Sequence, residues 1–159
     1  MKTGAFLTGY RGVQFLTNIE FDLEFVVSYH DKNTDSIFYD KIISLCRDKN
    51  IKFYTKKDFD KKLFDKVDKV FMVGWQFLVD NSNDKFIVIH DSFLPFMRGF
   101  CPTVNSLILG IGYLGVTAFS PTPEIDKGKI YNRVKIPIKY PIKLKQAIDL
   151  EMQAYCSMA

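Results

Sequence analysis

Histidine and cysteine are both scarce in this chain, with two and three residues among 159. The cysteines, Cys46, Cys101 and Cys156, are odd in number, widely separated and include no CxxC pair. That disfavours a disulfide framework or a zinc site and fits small buried thiols in a reducing compartment, so no metal is expected. No stretch approaches the roughly 18 apolar residues of a membrane span. The apolar run in Met1-Lys2-Thr3-Gly4-Ala5-Phe6-Leu7 is too short for a signal peptide. The expectation is a cytoplasmic protein with no membrane partner. Charge of one sign is missing too. The net charge is only +4, and the run Lys56-Lys57-Asp58-Phe59-Asp60-Lys61-Lys62 interleaves lysine with aspartate. Such a run reads as a solvated helix face, so no nucleic-acid partner is expected. The GxGxxG spacing of a dinucleotide fingerprint and the lysine–serine pair of a P-loop are absent, which disfavours a plain nicotinamide-cofactor module.

What is present is an ordinary globular composition, 47% hydrophobic and 25% charged, with a high aromatic share of 15%. The length suits a single domain over residues 1–159 with one hydrophobic core. Short apolar runs alternate with amphipathic stretches. Ala5–Leu7, Leu23–Ser28, Ile51–Tyr54, Val70–Val73, Phe86–Ile89, Val116–Phe119 and Ile130–Ile138 read as strands. Helices are expected from near Val13, from Asp35 to Lys49 with Asp35 as N-cap, over Asp58–Phe64, Thr103–Leu109 and Leu144–Met158. Strands alternating with helices predict an α/β fold, a mostly parallel central sheet with helices on both faces. Ligands then sit beyond the carboxyl ends of the strands. That rule points to Gly9–Gly12, Gly74–Val79 and His90–Gly99.

Gly9-Tyr10-Arg11-Gly12 follows the first strand and precedes a helix, so its backbone N–H groups can bind an anion. Glycine serves tightness alone in many such turns, but Arg11 adds a bidentate donor suited to phosphate. His30 precedes the polar turn Asp31-Lys32-Asn33 and reads as structural or solvated. His90 ends a buried strand and is followed within five residues by Asp91, Ser92 and Pro95. His90-Asp91-Ser92-Phe93-Leu94-Pro95-Phe96-Met97-Arg98-Gly99 resembles the formyltransferase motif His-x-Ser-Leu-Leu-Pro with its short basic stretch and glycine. Gly115-Val116-Thr117 and Asp126-Lys127-Gly128-Lys129-Ile130 resemble the family's next two elements, in order and at family spacing. The three motifs together are specific, although none is so alone. The resemblance is to the catalytic core of methionyl-tRNA formyltransferase and glycinamide ribonucleotide transformylase, and most of all to the nucleotide-sugar N-formyltransferases.

The resemblance implies a Rossmann-like formyltransferase fold and transfer of a formyl group from 10-formyltetrahydrofolate to the amine of a nucleotide-linked amino sugar. It implies His90 as donor to the formyl oxygen and Asp126 as the group that orients His90 and accepts the amine's proton. Phe77, Leu78 and Val79 are implied to line the pteridine pocket, closed on its other side by the loop Ser120–Asp126 that carries Glu124. Gly9, Tyr10, Arg11, Ser92 and Pro95 are implied to contact the acceptor, and a homodimer is compatible with the family. Two departures stand out. The family's catalytic asparagine, two residues before the histidine, is here Val88, which donates no hydrogen bond; Asn105 is a candidate replacement by residue type. The chain also has no room for the C-terminal domain of methionyl-tRNA formyltransferase, which counts against tRNA as acceptor. The alternative reading is an impaired or non-catalytic formyltransferase-like binding domain.

Overall fold

The apolar runs become strands in each of the two units that a computed structural model shows, Met1–Phe77 and Leu78–Ala159. The structure describes residues 1–30, 36–77 and 84–159. In the first unit, β1 (Thr3–Leu7), β2 (Phe25–Ser28), β3 (Lys52–Thr55) and β4 (Lys69–Val73) pair in parallel, in the order β3-β2-β1-β4. All residues of β1 and β2 are buried, which is why these strands read as continuous apolar runs rather than alternating ones. Helices α1 (Gly9–Asn18) and α2 (Ile37–Asp48) pack on each other and on the strands. β1 lies between β2 and β4, so the strand order reverses beside it. Such a reversal opens a crevice at the carboxyl ends of the strands.

Two local expectations are corrected in this unit, and a third falls outside the described residues. Helix α1 begins at Gly9, not near Val13, so the glycine turn is the helix's own first turn. Gly9 takes φ +62°, a left-handed conformation natural to glycine, and a Cβ on Gly12 would sit 3.1 Å from the Leu7 backbone. The second glycine lets the helix lie close on β1. The short helix expected over Asp58–Phe64 is instead a 3-10 turn at Lys61–Lys66. Asp60 starts it by accepting from the Lys62 N–H at 2.9 Å, while Thr55 ties down Asp58 through a 2.5 Å hydroxyl contact. Helix α2 starts at Ile37, and Asp35, expected as its N-cap, lies outside the described residues. The aromatic residues fill this unit: Phe15 and Phe71 meet at 5.7 Å, and Phe6 contacts Phe59, Phe64 and Trp75 at 5.3, 5.9 and 4.8 Å.

In the second unit, β5 (Phe86–His90), β6 (Tyr113–Phe119) and β7 (Ile130–Pro137) pair antiparallel in that order. Parallel pairing is thus the rule of the first unit. Here β6 and β7 are joined by the loop 120–129 alone, and a direct loop without a crossover joins antiparallel neighbours. Helices α3 (Pro102–Ile108) and α4 (Leu144–Met158) pack on each other and on β6, and α4 also packs on β7. Ala147, Glu151, Met152 and Tyr155 form the buried face of α4. Glu151 is polar but not stranded, since both its oxygens accept from the Thr103 hydroxyl at 3.0 Å. Among the described residues no helix is long and apolar enough to cross a membrane.

Candidate functional site

His90 is the last residue of β5, and the register sets its surroundings. His90 pairs with Thr117, and Thr117 pairs with Arg133, so the three side chains form a row on one face of the second unit's sheet. The loop after His90 folds back across that row. Thr117 donates its hydroxyl proton to the Ser92 carbonyl at 2.6 Å, and its oxygen accepts from the Leu94 N–H at 3.1 Å. Gly115 is required because a Cβ there would lie 2.0 Å from the Phe93 nitrogen. Arg133 donates to the Leu94 carbonyl and lies 4.3 Å over the Phe93 ring, with the Lys135 ammonium 4.7 Å from the same ring. The Gly-Val-Thr segment is therefore a clamp for the His90 loop.

A second loop brings in the carboxylate. A Cβ on Gly128 would lie 1.5 Å from the Ser120 carbonyl oxygen, and the Ser120 N–H donates to the Lys129 carbonyl at 3.0 Å. Glycine alone permits this closure. Asp126 takes φ +51°, a region that aspartate tolerates better than most side chains. Its Oδ2 accepts from the Gly99 N–H at 2.7 Å, and its carbonyl accepts from Arg98 Nε at 3.1 Å. The result is a His90 Nε2–Asp126 Oδ2 separation of 3.4 Å, with side chains 15% and 16% exposed. At that separation the two face each other without a formed hydrogen bond, and Nε2 is buried with no hydrogen-bond partner among the described residues. The Phe119 ring meets the imidazole edge-on at 6.5 Å. A buried ring nitrogen beside a fixed carboxylate can donate to an oxygen that gains negative charge, with the carboxylate available for a proton.

The remaining expected residues fall in different places. Ser92 is buried, with an Oγ that has no partner among the described residues, and Pro95 is exposed. Glu124 is exposed and paired with Lys127, whose hydrogen bond and charge hold its carboxyl below the usual range. Val88 pairs across from Phe119, two residues before His90 and on the same strand face. Asn105 does not supply the missing donor: it is exposed, and its amide donates to the Phe100 carbonyl at 3.2 Å. Phe77 is 39% exposed in the first unit's aromatic cluster, with Tyr29 at 4.8 Å, Trp75 at 5.4 Å and the Lys56 ammonium 3.0 Å over its ring. Leu78 and Val79 lie outside the described residues.

The first unit holds a cavity of about 270 Å³ lined by residues 8–11, 28–30, Phe38, Tyr39, Gly74 and Gln76. Gly9, Tyr10 and Arg11 meet there as the start of α1. The sequence reading missed Ser28, Tyr29, Phe38 and Tyr39, and it set aside His30. A polar residue closing the otherwise apolar strand Phe25–Ser28 was the one available signal.

No curated protein matches the chain. Among solved structures, it is similar to phosphoribosylglycinamide formyltransferase from Streptococcus pneumoniae TIGR4, at 21% identity and TM-score 0.77 over 98% of this chain and 95% of that one. It is similar to WlaRD, a sugar 3N-formyl transferase crystallised with dTDP and 5-N-formyl-THF, at 20% identity and TM-score 0.72 over 99% and 60% of the two chains. A formyltetrahydrofolate deformylase from Pseudomonas syringae pv. tomato is similar at 16% identity and TM-score 0.72, over 98% and 58%. These likenesses establish a shared Rossmann-like α/β fold. Residues 49–149, which include all three motifs, match the formyl transferase family, and the chain belongs to that family.

Proposed function

We propose that the chain is an N-formyltransferase that moves a formyl group from 10-formyltetrahydrofolate to the amine of a nucleotide-linked amino sugar. The observation that carries this reading is the buried His90 Nε2, which has no hydrogen-bond partner among the described residues and lies 3.4 Å from Asp126. A buried donor with no protein partner is costly unless a ligand oxygen completes it, and a formyl oxygen has that chemistry. The acceptor amine bonds to the formyl carbon of the folate, that carbon's bond to the folate nitrogen breaks, and tetrahydrofolate leaves with the proton given up by the amine on its nitrogen. His90 donates to the formyl oxygen as charge builds there, which favours the transition state over the bound substrate. Asp126, held by the Gly99 amide, orients the imidazole and accepts the proton lost by the attacking amine, directly or through water. Phe77, Leu78, Val79 and Glu124 are assigned to the donor's pteridine side. Gly9, Tyr10 and Arg11 are assigned to an acceptor phosphate, and Ser92 and Pro95 to the acceptor's amine end. WlaRD, with dTDP and 5-N-formyl-THF in its structure, supports the sugar-nucleotide choice. The proposed setting is the cytoplasm.

The test incubates the purified chain with 10-formyltetrahydrofolate and a panel of amino-sugar nucleotides and follows tetrahydrofolate release. His90→Ala and Asp126→Ala should abolish release while circular dichroism stays unchanged. Turnover retained in both variants would reject the assigned roles.

Val88 favours a second reading, an impaired or non-catalytic relative that binds its ligands without turnover. Loss of one oxyanion donor costs about 10²–10³ in rate in other enzymes. Val88→Asn should therefore raise the rate by about that factor if the active site is otherwise intact. Folate binding with no turnover in either form would favour the binding domain.

A further inference from the structure

We propose that Tyr155 and Asp91 form a positioning pair for His90, through which helix α4 fixes the imidazole from the side of the sheet opposite Asp126. The inference rests on the reading of His90 as donor to the formyl oxygen and adds two residues to it. Asp91 follows His90 directly, and successive residues of an extended strand point to opposite faces. His90 faces Asp126 at 3.4 Å. Asp91 is turned to the other face, where the Tyr155 hydroxyl donates to its Oδ1. The two residues are 64 positions apart in the chain, so this hydrogen bond ties the end of β5 to the last turns of α4. Tyr155 lies outside residues 49–149, the span of the family match, and the motif His-x-Ser leaves the position of Asp91 open.

The informative part of this tyrosine is its hydroxyl. Tyr155 is 1% exposed and shares the buried face of α4 with Ala147, Glu151 and Met152. A phenylalanine fills such a slot equally well, whereas a buried phenol needs a partner for its O–H. Here the partner is a carboxylate, and hydrogen bonds to an ionised acceptor are the stronger kind. One turn earlier on the same helix face, Glu151 accepts from Thr103 of α3 at 3.0 Å. Helix α4 therefore has two buried polar ties, one to α3 and one to the residue beside His90. The second tie also separates two carboxylates. Asp126 is held by the Gly99 N–H at 2.7 Å, and Asp91 by Tyr155. Held on the far face, Asp91 is drawn away from the imidazole, which leaves Asp126 as its facing carboxylate. The pair acts through His90 rather than on the reacting atoms, which makes both residues positioning groups.

The experiment records the imidazole signals of the full chain by nuclear magnetic resonance, together with the steady-state rate of formyl transfer. The chain has two histidines, so each gives its own signals. Exposed His30, in the first unit, is the internal control, and His30→Gln assigns the two sets. Tyr155→Phe should shift or broaden the His90 signals and leave those of His30 in place. It should lower kcat by about 10–100-fold, the loss seen when the partner orienting a metal-bound histidine is removed, with KM unchanged. Asp91→Ala should do the same, and combining it with Tyr155→Phe should add nothing further. Asp91→Asn still accepts from the phenol, so its His90 signals and kcat should stay near the parent's. His90 signals unmoved in both Tyr155→Phe and Asp91→Ala would overturn the proposal, as would an Asp91→Asn indistinguishable from Asp91→Ala. A lower melting temperature with no change at His90, the mark of a merely structural tyrosine, would overturn it too. Moved His90 signals in a chain that transfers no formyl group uphold the pair and sink only the transferase reading. Turnover by the parent with unmoved His90 signals in both variants sinks only the pair.

Discussion

Replacing Thr117 by valine should loosen the loop that follows His90 without changing side-chain shape. Thr117 is 0% exposed, and its hydroxyl both donates to the Ser92 carbonyl and accepts from the Leu94 N–H. Valine keeps the volume and removes both contacts. The two backbone groups belong to residues that are themselves buried, so water reaches them poorly. Each buried group left unsatisfied costs about 1–3 kcal/mol, which gives about 2–6 kcal/mol for the pair. Arg133 still donates to the Leu94 carbonyl, so the loop keeps one anchor and the lower half of that range is expected. At about 2–4 °C per kcal/mol for a chain of this size, the melting temperature should fall by roughly 4–16 °C. Thermal melting followed by circular dichroism reads this directly, with Thr122→Val as a control that loses only a single hydroxyl contact to the Glu124 carbonyl. A Thr117→Val melting temperature equal to the control's would refute the clamp.

Gly115→Ala should be worse than Thr117→Val, because its Cβ would strike the Phe93 backbone rather than a movable side chain. The loss of several kcal/mol from such overpacking is read as a lower melting temperature or loss of soluble protein. Thiol titration should label exposed Cys101 first, Cys156 slowly and buried Cys46 only on unfolding. Burial pushes the Cys46 thiol up to about 12 from an ordinary 9.0. Its contribution is therefore complete below pH 9.0 and is lost as pH rises towards about 12, since the unfolded thiol ionises first. Cys46→Ala should remove that part of the alkaline loss, and an unchanged alkaline limb would contradict the burial argument.

The fold was legible where one strand's own residues decide its state. Val26, Val27, Val70 and Val73 announce buried strands in any context. The start of α1 was not legible, since helical spacing begins at Val13 and glycine is a weak helix former, yet packing on Leu7 extends the helix to Gly9. The antiparallel pairing of β5 and β6 was hidden as well, because a helix lies between them in the chain and only tertiary packing fixes their direction. In the candidate site, the resemblance to the family's motifs singled out His90 and Asp126. Their approach depends on two glycines, Gly115 and Gly128, whose reason is visible only as backbone contacts. The buried hydroxyl of Ser28, without a hydrogen-bond partner among the described residues, leaves no trace in sequence beyond one polar letter at a strand end.

The most direct measurement is a single-turnover rate of tetrahydrofolate formation by the parent chain and by Asp126→Asn, with an amino-sugar nucleotide in excess. The amide keeps the size and can still accept from the Gly99 N–H but cannot take the amine's proton. A rate lower by about 10²–10⁴ with an unchanged circular dichroism spectrum is expected. Equal rates for the two proteins would contradict the pairing of His90 with Asp126 as the formyl-transferring machinery.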